Sequence, residues 1–102
     1  MATHVSKAVL VRLEALPGKE GDVRDFLNQG LLIVDGEPKT VRWFGVQFGP
    51  SSFGIFDAFP DEDGRQAHLS GEVAKALGEN AGVLFEKPII EQLDVIAEKQ
   101  PA

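Results

Sequence analysis

Three side chains of this sequence have the types and spacing to support proton-transfer chemistry, namely Arg42, Asp57 and His68. Histidine titrates near neutral pH and is the commonest general base in enzymes, and Asp57 could serve as a second base. An arginine can stabilise the anion that forms when a base removes a proton. A simpler interpretation makes His68 a solvated residue beside Glu72 on a helix flank, and makes Arg42 and Asp57 a cross-strand ion pair. We prefer this interpretation for all three residues, so His68 is expected to be accessory.

Metal sites, phosphate-binding loops and serine nucleophiles each need residues or spacings that are missing from this sequence. The sequence has no cysteine and only two histidines, and His4 lies in an N-terminal segment that is expected to be mobile, so no metal site is predicted. The glycines of "FGPSSFG" join two predicted strands, whereas a phosphate-binding loop joins a strand to a helix. Ser51 and Ser52 lie in the same turn, with no histidine predicted nearby to activate them. No metal and no cofactor is therefore implied.

Charge and composition narrow the range of partners and locations. The 102 residues include 16 acidic and 10 basic side chains, which give a net charge of -6, so a nucleic acid would be repelled. The absence of cysteine suits a reducing compartment, and the apolar run in "MATHVSKAVLVRLEAL" is too short and too charged for a signal peptide or a membrane span. We expect a cytoplasmic protein with no nucleic-acid or membrane partner. A single domain over residues 1–102 is expected, with mobile ends at 1–6 and 98–102.

The spacing of apolar residues predicts six elements. Alternation of side chains indicates strands over residues 8–15, 40–48, 52–59 and 88–97. Apolar residues at three- and four-residue steps indicate one helix over 18–34 and a second from an N-cap at Asp61 to Leu77. The order β-α-β-β-α-β is that of an α+β ferredoxin-like fold, with a four-stranded antiparallel sheet and two helices on one face.

The register of the central hairpin decides which side chains lie under the helices. A two-residue turn at Pro50-Ser51 would pair Gly49 with Ser52, although a slip by one residue would exchange the two faces of one strand. In this register the helix side of the hairpin carries Arg42, Phe44, Asp57 and Phe59. We expect an apolar pocket between sheet and helices, lined by Phe44, Ile55, Phe59 and Leu69.

The same register leaves Trp43 and Phe56 on the face of the sheet that no helix covers. A contiguous apolar patch of this kind marks an interaction surface. The simplest partner is a second copy of the chain, packed sheet against sheet. We therefore expect a homodimer with Trp43 and Phe56 in its interface.

Four segments, spread over most of the chain, resemble one known family. They are "LVRLEALPGKEGDVRDFL", "EPKTVRWFGVQ", "FGIFDAFPDEDGRQAHLSGEVAKAL" and "PIIEQLDVIAE". Their order and spacing resemble the antibiotic biosynthesis monooxygenase-like group of the dimeric α+β barrel superfamily. The resemblance implies a homodimer of ferredoxin-like subunits with a small apolar pocket. It also implies one of several activities, since the group includes cofactor-independent oxygenases of quinol-like aromatics, haem-degrading enzymes and many proteins of unknown activity.

Two positions depart from that family. Phe59 stands where a tryptophan is common, so the ring remains but its indole donor is gone. The first strand has no asparagine, which marks the haem-degrading branch together with tryptophan and histidine. Haem degradation is therefore not expected.

Two classes of function remain open. The first is a cofactor-independent monooxygenase, or a related isomerase, that acts on a small aromatic or dicarbonyl compound. In it His68 or Asp57 removes a proton, Arg42 stabilises the anion, and the anion reacts with dioxygen. The second is a non-catalytic dimeric protein that binds a small molecule or has a structural role. An open cavity reached by several of these polar groups would favour the enzyme, and a filled interior would favour the second class.

Overall fold

The computed structural model describes residues 4–100. Its four strands lie side by side in the order Arg42–Gln47, Ser52–Phe59, Lys7–Glu14 and Ile89–Asp94, and every neighbouring pair is antiparallel. This order and the positions of the helices confirm the α+β ferredoxin-like fold. The elements in chain order are β1 Lys7–Glu14, α1 Glu20–Val34, β2 Arg42–Gln47, β3 Ser52–Phe59, α2 Glu62–Leu69, α3 Glu72–Asn80 and β4 Ile89–Asp94.

The core lies between the sheet and the helices. Alternate residues of β1 and β3 point toward the helices, because successive side chains of a strand face opposite sides. The stripe of α1 that covers them includes Val23 and Leu27, as its three- and four-residue spacing predicts. The larger side chains of this core are Val9, Val11, Leu13, Phe53, Ile55, Phe59, Leu77 and Phe85.

The predicted second helix is two helices, which corrects the expected unbroken helix to Leu77. The N-cap is as predicted, since the Asp61 side chain accepts a hydrogen bond of 2.8 Å from the backbone N–H of Gly64. α2 ends at Leu69, where the hydroxyl of Ser70 donates to the carbonyl of Gln66 at 3.0 Å. Gly71 has an extended backbone and begins α3 as its N-cap. A serine that bonds the preceding turn and a glycine without helical preference end the first helix here.

The hairpin register differs from the predicted one by a single residue. Trp43 pairs with Asp57 and Arg42 pairs with Ala58, whereas the prediction paired Arg42 with Phe59. The cause is the loop, because the backbone N–H of Phe48 donates to the carbonyl of Ser52 at 2.7 Å and three residues connect the strands instead of two. All of β2 is therefore turned over relative to the expectation.

The two ends of the described chain contact each other. The side chain of His4 lies 3.0 Å from Glu98, and the backbone N–H of Val95 donates to the carbonyl of Ser6 at 3.0 Å. The expectation of mobile ends also covered residues 1–3 and 101–102, which lie outside the described residues. Among residues 4–100, no helix has the length and apolar character needed to cross a bilayer.

Candidate functional site

Three titratable side chains meet beneath α2 and form what we call the carboxylate–imidazole cluster: Asp57, His68 and Glu37. The imidazole Nε2 of His68 lies 2.9 Å from Oδ2 of Asp57, and its Nδ1 lies 2.7 Å from Oε1 of Glu37. Asp57 is 1% exposed and His68 is 7% exposed, whereas the Glu37 side chain is 24% exposed. Glu37 is therefore the end of the cluster that reaches solvent.

Each member is positioned by a different element. Asp57 lies on the helix-facing side of β3, and His68 lies in the last turn of α2. Glu37 follows α1 in the loop before β2, where its backbone N–H donates to the carbonyl of Val34 at 2.8 Å. The hydroxyl of Thr40 donates to Oε1 of Glu37 at 2.7 Å. The loop thus holds the carboxylate of Glu37 against the imidazole.

The protonation of His68 follows from these contacts. Two ionised carboxylates can accept from both ring nitrogens only if both carry a proton, which makes the ring an imidazolium. Burial alone would lower the pKa of His68, but the hydrogen bonds and negative charges of Asp57 and Glu37 outweigh burial and raise it. Burial raises the pKa of Asp57, the bond and charge of His68 oppose that effect, and the charge of Glu37 adds to it. With both carboxylates ionised, the cluster carries a net charge of about -1 and one proton that can be shared along it.

A cavity of about 560 Å³ opens beside the cluster. Its volume lies in the ordinary range for small-molecule sites. Glu37, Thr40 and His68 supply polar groups to its wall, and Lys39 supplies a cation. The remaining wall is largely apolar or glycine and comprises Ile33, Gly36, Pro38, Gly64, Ala67, Gly71 and Glu72.

The structure brings two of the three predicted chemical residues together and separates the third. Asp57 and His68 are hydrogen-bonded, so the interpretation of His68 as a solvated flank residue beside Glu72 is wrong. Arg42 does not pair with Asp57, because the observed register places it opposite Ala58 on the other face of the sheet. Its guanidinium donates to the carbonyl of Val41 at 3.0 Å.

The four residues expected to line a pocket lie elsewhere. Ile55 and Phe59 are buried in the core, and Leu69 packs against it from α2. Phe59 nevertheless touches the cluster, with its ring centroid 5.3 Å from that of His68. Phe44 is 51% exposed and lies on the sheet face without helices, at the border of a second cavity of about 390 Å³.

The two residues expected in a dimer interface lie on opposite faces of the sheet. Phe56 pairs with Phe44 and Leu10 on the face that no helix covers, as expected. Trp43 lies on the helix side, where its six-membered ring packs against Gly30 of α1. A Cβ atom at Gly30 would lie 3.2 Å from Cζ2 of Trp43. Trp43 is thus turned away from the open face, which corrects its predicted orientation.

The sequence analysis missed Glu37, Thr40 and Lys39. All three lie in the short segment "EPKT", which was interpreted as the end of a helix, the start of a strand and part of a segment that resembles the family, with no site residue assigned to it. No signal in the sequence marks this segment as part of a site, because Glu37 and His68 are 31 residues apart and only the fold brings them together. Within residues 4–100, no group of three or more His, Cys, Asp or Glu side chains is arranged to hold a metal ion.

Comparison with solved structures gives a relative along nearly the whole chain. A protein of unknown function from Nitrosomonas europaea, NE2512, is 49% identical, with 96% of each chain covered and a TM-score of 0.91. A "putative antibiotic biosynthesis monooxygenase" from Deinococcus radiodurans is 13% identical, with 94% of this chain and 98% of that chain covered and a TM-score of 0.79. Another from Caulobacter crescentus CB15 is 18% identical, with 94% of each chain covered and a TM-score of 0.76.

The chain belongs to the same family as the Nitrosomonas europaea protein NE2512. Its fold is also that of the two proteins named as putative antibiotic biosynthesis monooxygenases, which confirms the fold that the resemblance in the sequence implied. No protein-family model and no curated protein matches the chain.

Proposed function

We propose that the chain is a cofactor-independent monooxygenase-like enzyme that binds a small aromatic (quinol-like) or dicarbonyl compound in the 560 Å³ cavity. The observation that carries the proposal is a buried histidine bonded on both ring nitrogens by carboxylates, in the wall of a cavity large enough for such a compound. The fold, shared with proteins named as monooxygenases, supports the reaction class.

Glu37 is the base that would contact the substrate. Both nitrogens of His68 are already hydrogen-bonded, so the imidazole has no free site from which to take a proton. Glu37 accepts the substrate proton, and the net charge of the cluster rises from about -1 to zero. His68 and Asp57 orient Glu37 and hold the compensating charge. Lys39, in the same wall, takes the role of balancing the substrate anion that the sequence analysis gave to Arg42.

The reaction balances with dioxygen as the only oxidant. For an anthrone-like methylene compound, R₂CH₂ + O₂ gives R₂C=O + H₂O. Glu37 takes one proton from carbon, and the electron pair left on carbon forms a C–O bond to dioxygen. The resulting peroxide recovers the proton from Glu37, and loss of the second hydrogen from carbon with O–O cleavage releases water. The carbon loses four electrons and dioxygen gains four.

A non-catalytic binding protein is the second candidate, and one observation favours it. A histidine with both nitrogens occupied also describes a purely structural ion pair that fastens α2 and the loop of Glu37 to β3. On this alternative the cavity still binds a small molecule, but no proton is transferred.

Dioxygen uptake separates the two candidates. The wild-type protein is incubated with a panel of hydroquinones, anthrone-like compounds and cyclic diketones, without added metal or flavin. We expect turnover of at least one compound, and a fall of roughly 10²- to 10⁴-fold in Glu37→Gln because that variant lacks the base. The control is Glu79→Gln, an exposed carboxylate on α3. No uptake with any compound would leave the binding protein as the better description, whereas full activity in Glu37→Gln would refute Glu37 as the base.

We also propose a homodimer formed through the open face of the sheet. The support is a set of apolar side chains that no described element covers, of which Phe44 is 51% and Phe48 is 55% exposed. Trp43, which faces α1, is no longer part of that interface in our proposal. A cytoplasmic location stays a prediction from the absence of cysteine.

A further inference from the structure

Two buried polar atoms have no protein hydrogen-bond partner within residues 4–100: Nε1 of Trp43 and Oδ1 of Asp57. One is a donor and the other an acceptor. An unpaired buried polar group costs about 1–3 kcal/mol, so two such atoms in a small domain are a substantial cost. Their chemistry is complementary, which suggests that one small group satisfies both.

The two residues are direct neighbours across the β2–β3 ladder. Trp43 pairs with Asp57, so both side chains leave the sheet on the helix side with Cβ atoms roughly 4.5–5.5 Å apart. The other carboxylate oxygen of Asp57 bonds His68, which fixes the plane of the carboxylate. The close contact with Gly30 fixes the indole of Trp43. The donor and the acceptor thus belong to neighbouring side chains on the helix side of the sheet.

We propose that Trp43 and Asp57 form a binding site for one internal water molecule. The indole N–H donates to the water oxygen, and the water donates to Oδ1 of Asp57. Each of these bonds has the ordinary hydrogen-bond length of roughly 2.7–3.0 Å, so one water can join two polar atoms of neighbouring side chains. A ketone or ether oxygen could not donate to the carboxylate, and an ammonium group could not accept from the indole, so a hydroxyl-type group is the chemistry that fits.

The water extends the carboxylate–imidazole cluster and makes Trp43 a positioning residue. A second hydrogen bond on Asp57 favours its ionised form, and an ionised Asp57 in turn favours the imidazolium of His68. Asp57 and Glu37 are the charged groups bonded to His68, while Lys39 and Glu72 share its cavity wall. Trp43 therefore acts on His68 without touching it, through the water and Asp57.

NMR titration of the two histidines tests this role in the full-length protein. Trp43→Phe keeps an aromatic ring against Gly30 but removes the N–H donor. We expect the pKa of His68 to fall by about one pH unit, as the loss of one hydrogen bond to a charged group implies. His4, whose side chain is 87% exposed, is the internal reference in the same sample. Arg42→Lys, on the opposite face of the same strand, keeps the charge, is the control variant and should leave the titration of His68 as it is.

A crystal structure of the wild-type chain provides a second, variant-independent test. We expect one ordered water within hydrogen-bonding distance of both orphaned atoms. A direct Trp43–Asp57 hydrogen bond, or the absence of density between them, would overturn the inference even if Trp43→Phe does not fold. An unchanged His68 titration in a folded Trp43→Phe would overturn the positioning role. Neither test uses oxidation, so the inference can stand if the proposed reaction fails.

Discussion

Replacement of His68 by alanine should destabilise the protein strongly at neutral pH. The substitution removes the only protein hydrogen bond that the Asp57 carboxylate makes, since its other oxygen has no partner among the described residues. Asp57 is 1% exposed, so its carboxylate depends on the imidazole for a compensating charge. An ionised carboxylate would then lie in the core without a charge partner.

The cost follows from the burial of the pair. Removal of one partner of a buried ion pair costs about 3–5 kcal/mol, because the other charge stays uncompensated. The free energy of unfolding of a domain of this size is about 5–15 kcal/mol, so the variant should fold with a much smaller margin. Replacing both Asp57 and His68 by leucine leaves no orphaned charge. We expect that double variant to be more stable than His68→Ala.

Urea unfolding at a fixed protein concentration measures the cost, with His4→Ala as the matched control. His4 also contacts a glutamate, Glu98 at 3.0 Å, but its side chain is 87% exposed. An exposed ion pair contributes little to stability, because water solvates both partners and salt screens their attraction, so the same substitution there should have little effect. The comparison isolates burial, since residue type and partner chemistry are alike.

The cost should also depend on pH in a defined direction. Without His68, burial and the charge of Glu37 raise the pKa of Asp57 unopposed, so Asp57 becomes neutral as the pH falls and the penalty shrinks. We expect a smaller difference between wild type and His68→Ala at pH 4.5 than at pH 6.5. A cost at pH 6.5 no larger than that of His4→Ala, or a cost that is the same at both pH values, would refute this account.

Three further expectations concern pH, packing and assembly. The pKa of His68 is raised in the folded state, so its contribution to stability is complete below about pH 6.5 and is lost as the pH rises through the raised value. Urea unfolding in steps above pH 6.5 should show this decline in stability, and the variant His68→Gln should not show it. Gly54→Ala should destabilise the protein, because its Cβ would lie 2.7 Å from the carbonyl oxygen of Val11. In α3, a Cβ at Gly78 would meet nothing within 4 Å, so Gly78→Ala should stabilise the protein by about 0.5–1 kcal/mol. Thermal unfolding of both variants measures these two effects. If the open face forms the proposed homodimer, Phe44→Asp should give the monomer mass in light scattering where the wild type gives twice that mass, and a wild type of monomer mass would contradict the proposal.

The order and approximate bounds of the elements were predictable because they depend on local patterns. The strand over 52–59 is where it was expected, and α1 begins two residues later than the predicted 18 and ends at the same residue, Val34. Apolar periodicity and capping residues carry this information within each segment. The break between α2 and α3 was missed, although Ser70-Gly71 has the composition of a helix end.

The pairing register of the β2–β3 hairpin could not be predicted from local patterns. A two-residue and a three-residue loop both fit "GPSS", and they differ by one position in the ladder. That one position turned β2 over, which moved Trp43 under α1 and Arg42 onto the open face. The predicted ion pair between Arg42 and Asp57 therefore does not form, and the cause is the length of the loop and not the chemistry of either residue.

The burial of His68 depended on a contact between distant segments. No large apolar side chain shares its face of α2, because the other buried positions of that helix are Gly64 and Arg65. Its burial comes from the loop bearing Glu37, which is 31 residues away in the sequence, and from Asp57 below it. Helical periodicity describes one element at a time and cannot show what another segment places against it.

The place where local rules failed is also where the structure departs from what stability alone would favour. A core built only for stability would fill the positions of Asp57 and His68 with apolar side chains, because a buried ion pair is often no more stable than such a replacement. This chain instead places three titratable groups in and beside those positions, and among residues 4–100 an oxygen of Asp57 and the N–H of Trp43 have no protein partner. Violations of sequence-level rules tend to concentrate at functional sites, where the cost is retained for chemistry. The coincidence of buried charge, orphaned polar atoms and an adjoining cavity is thus the strongest argument that residues 37, 57 and 68 were selected for more than folding.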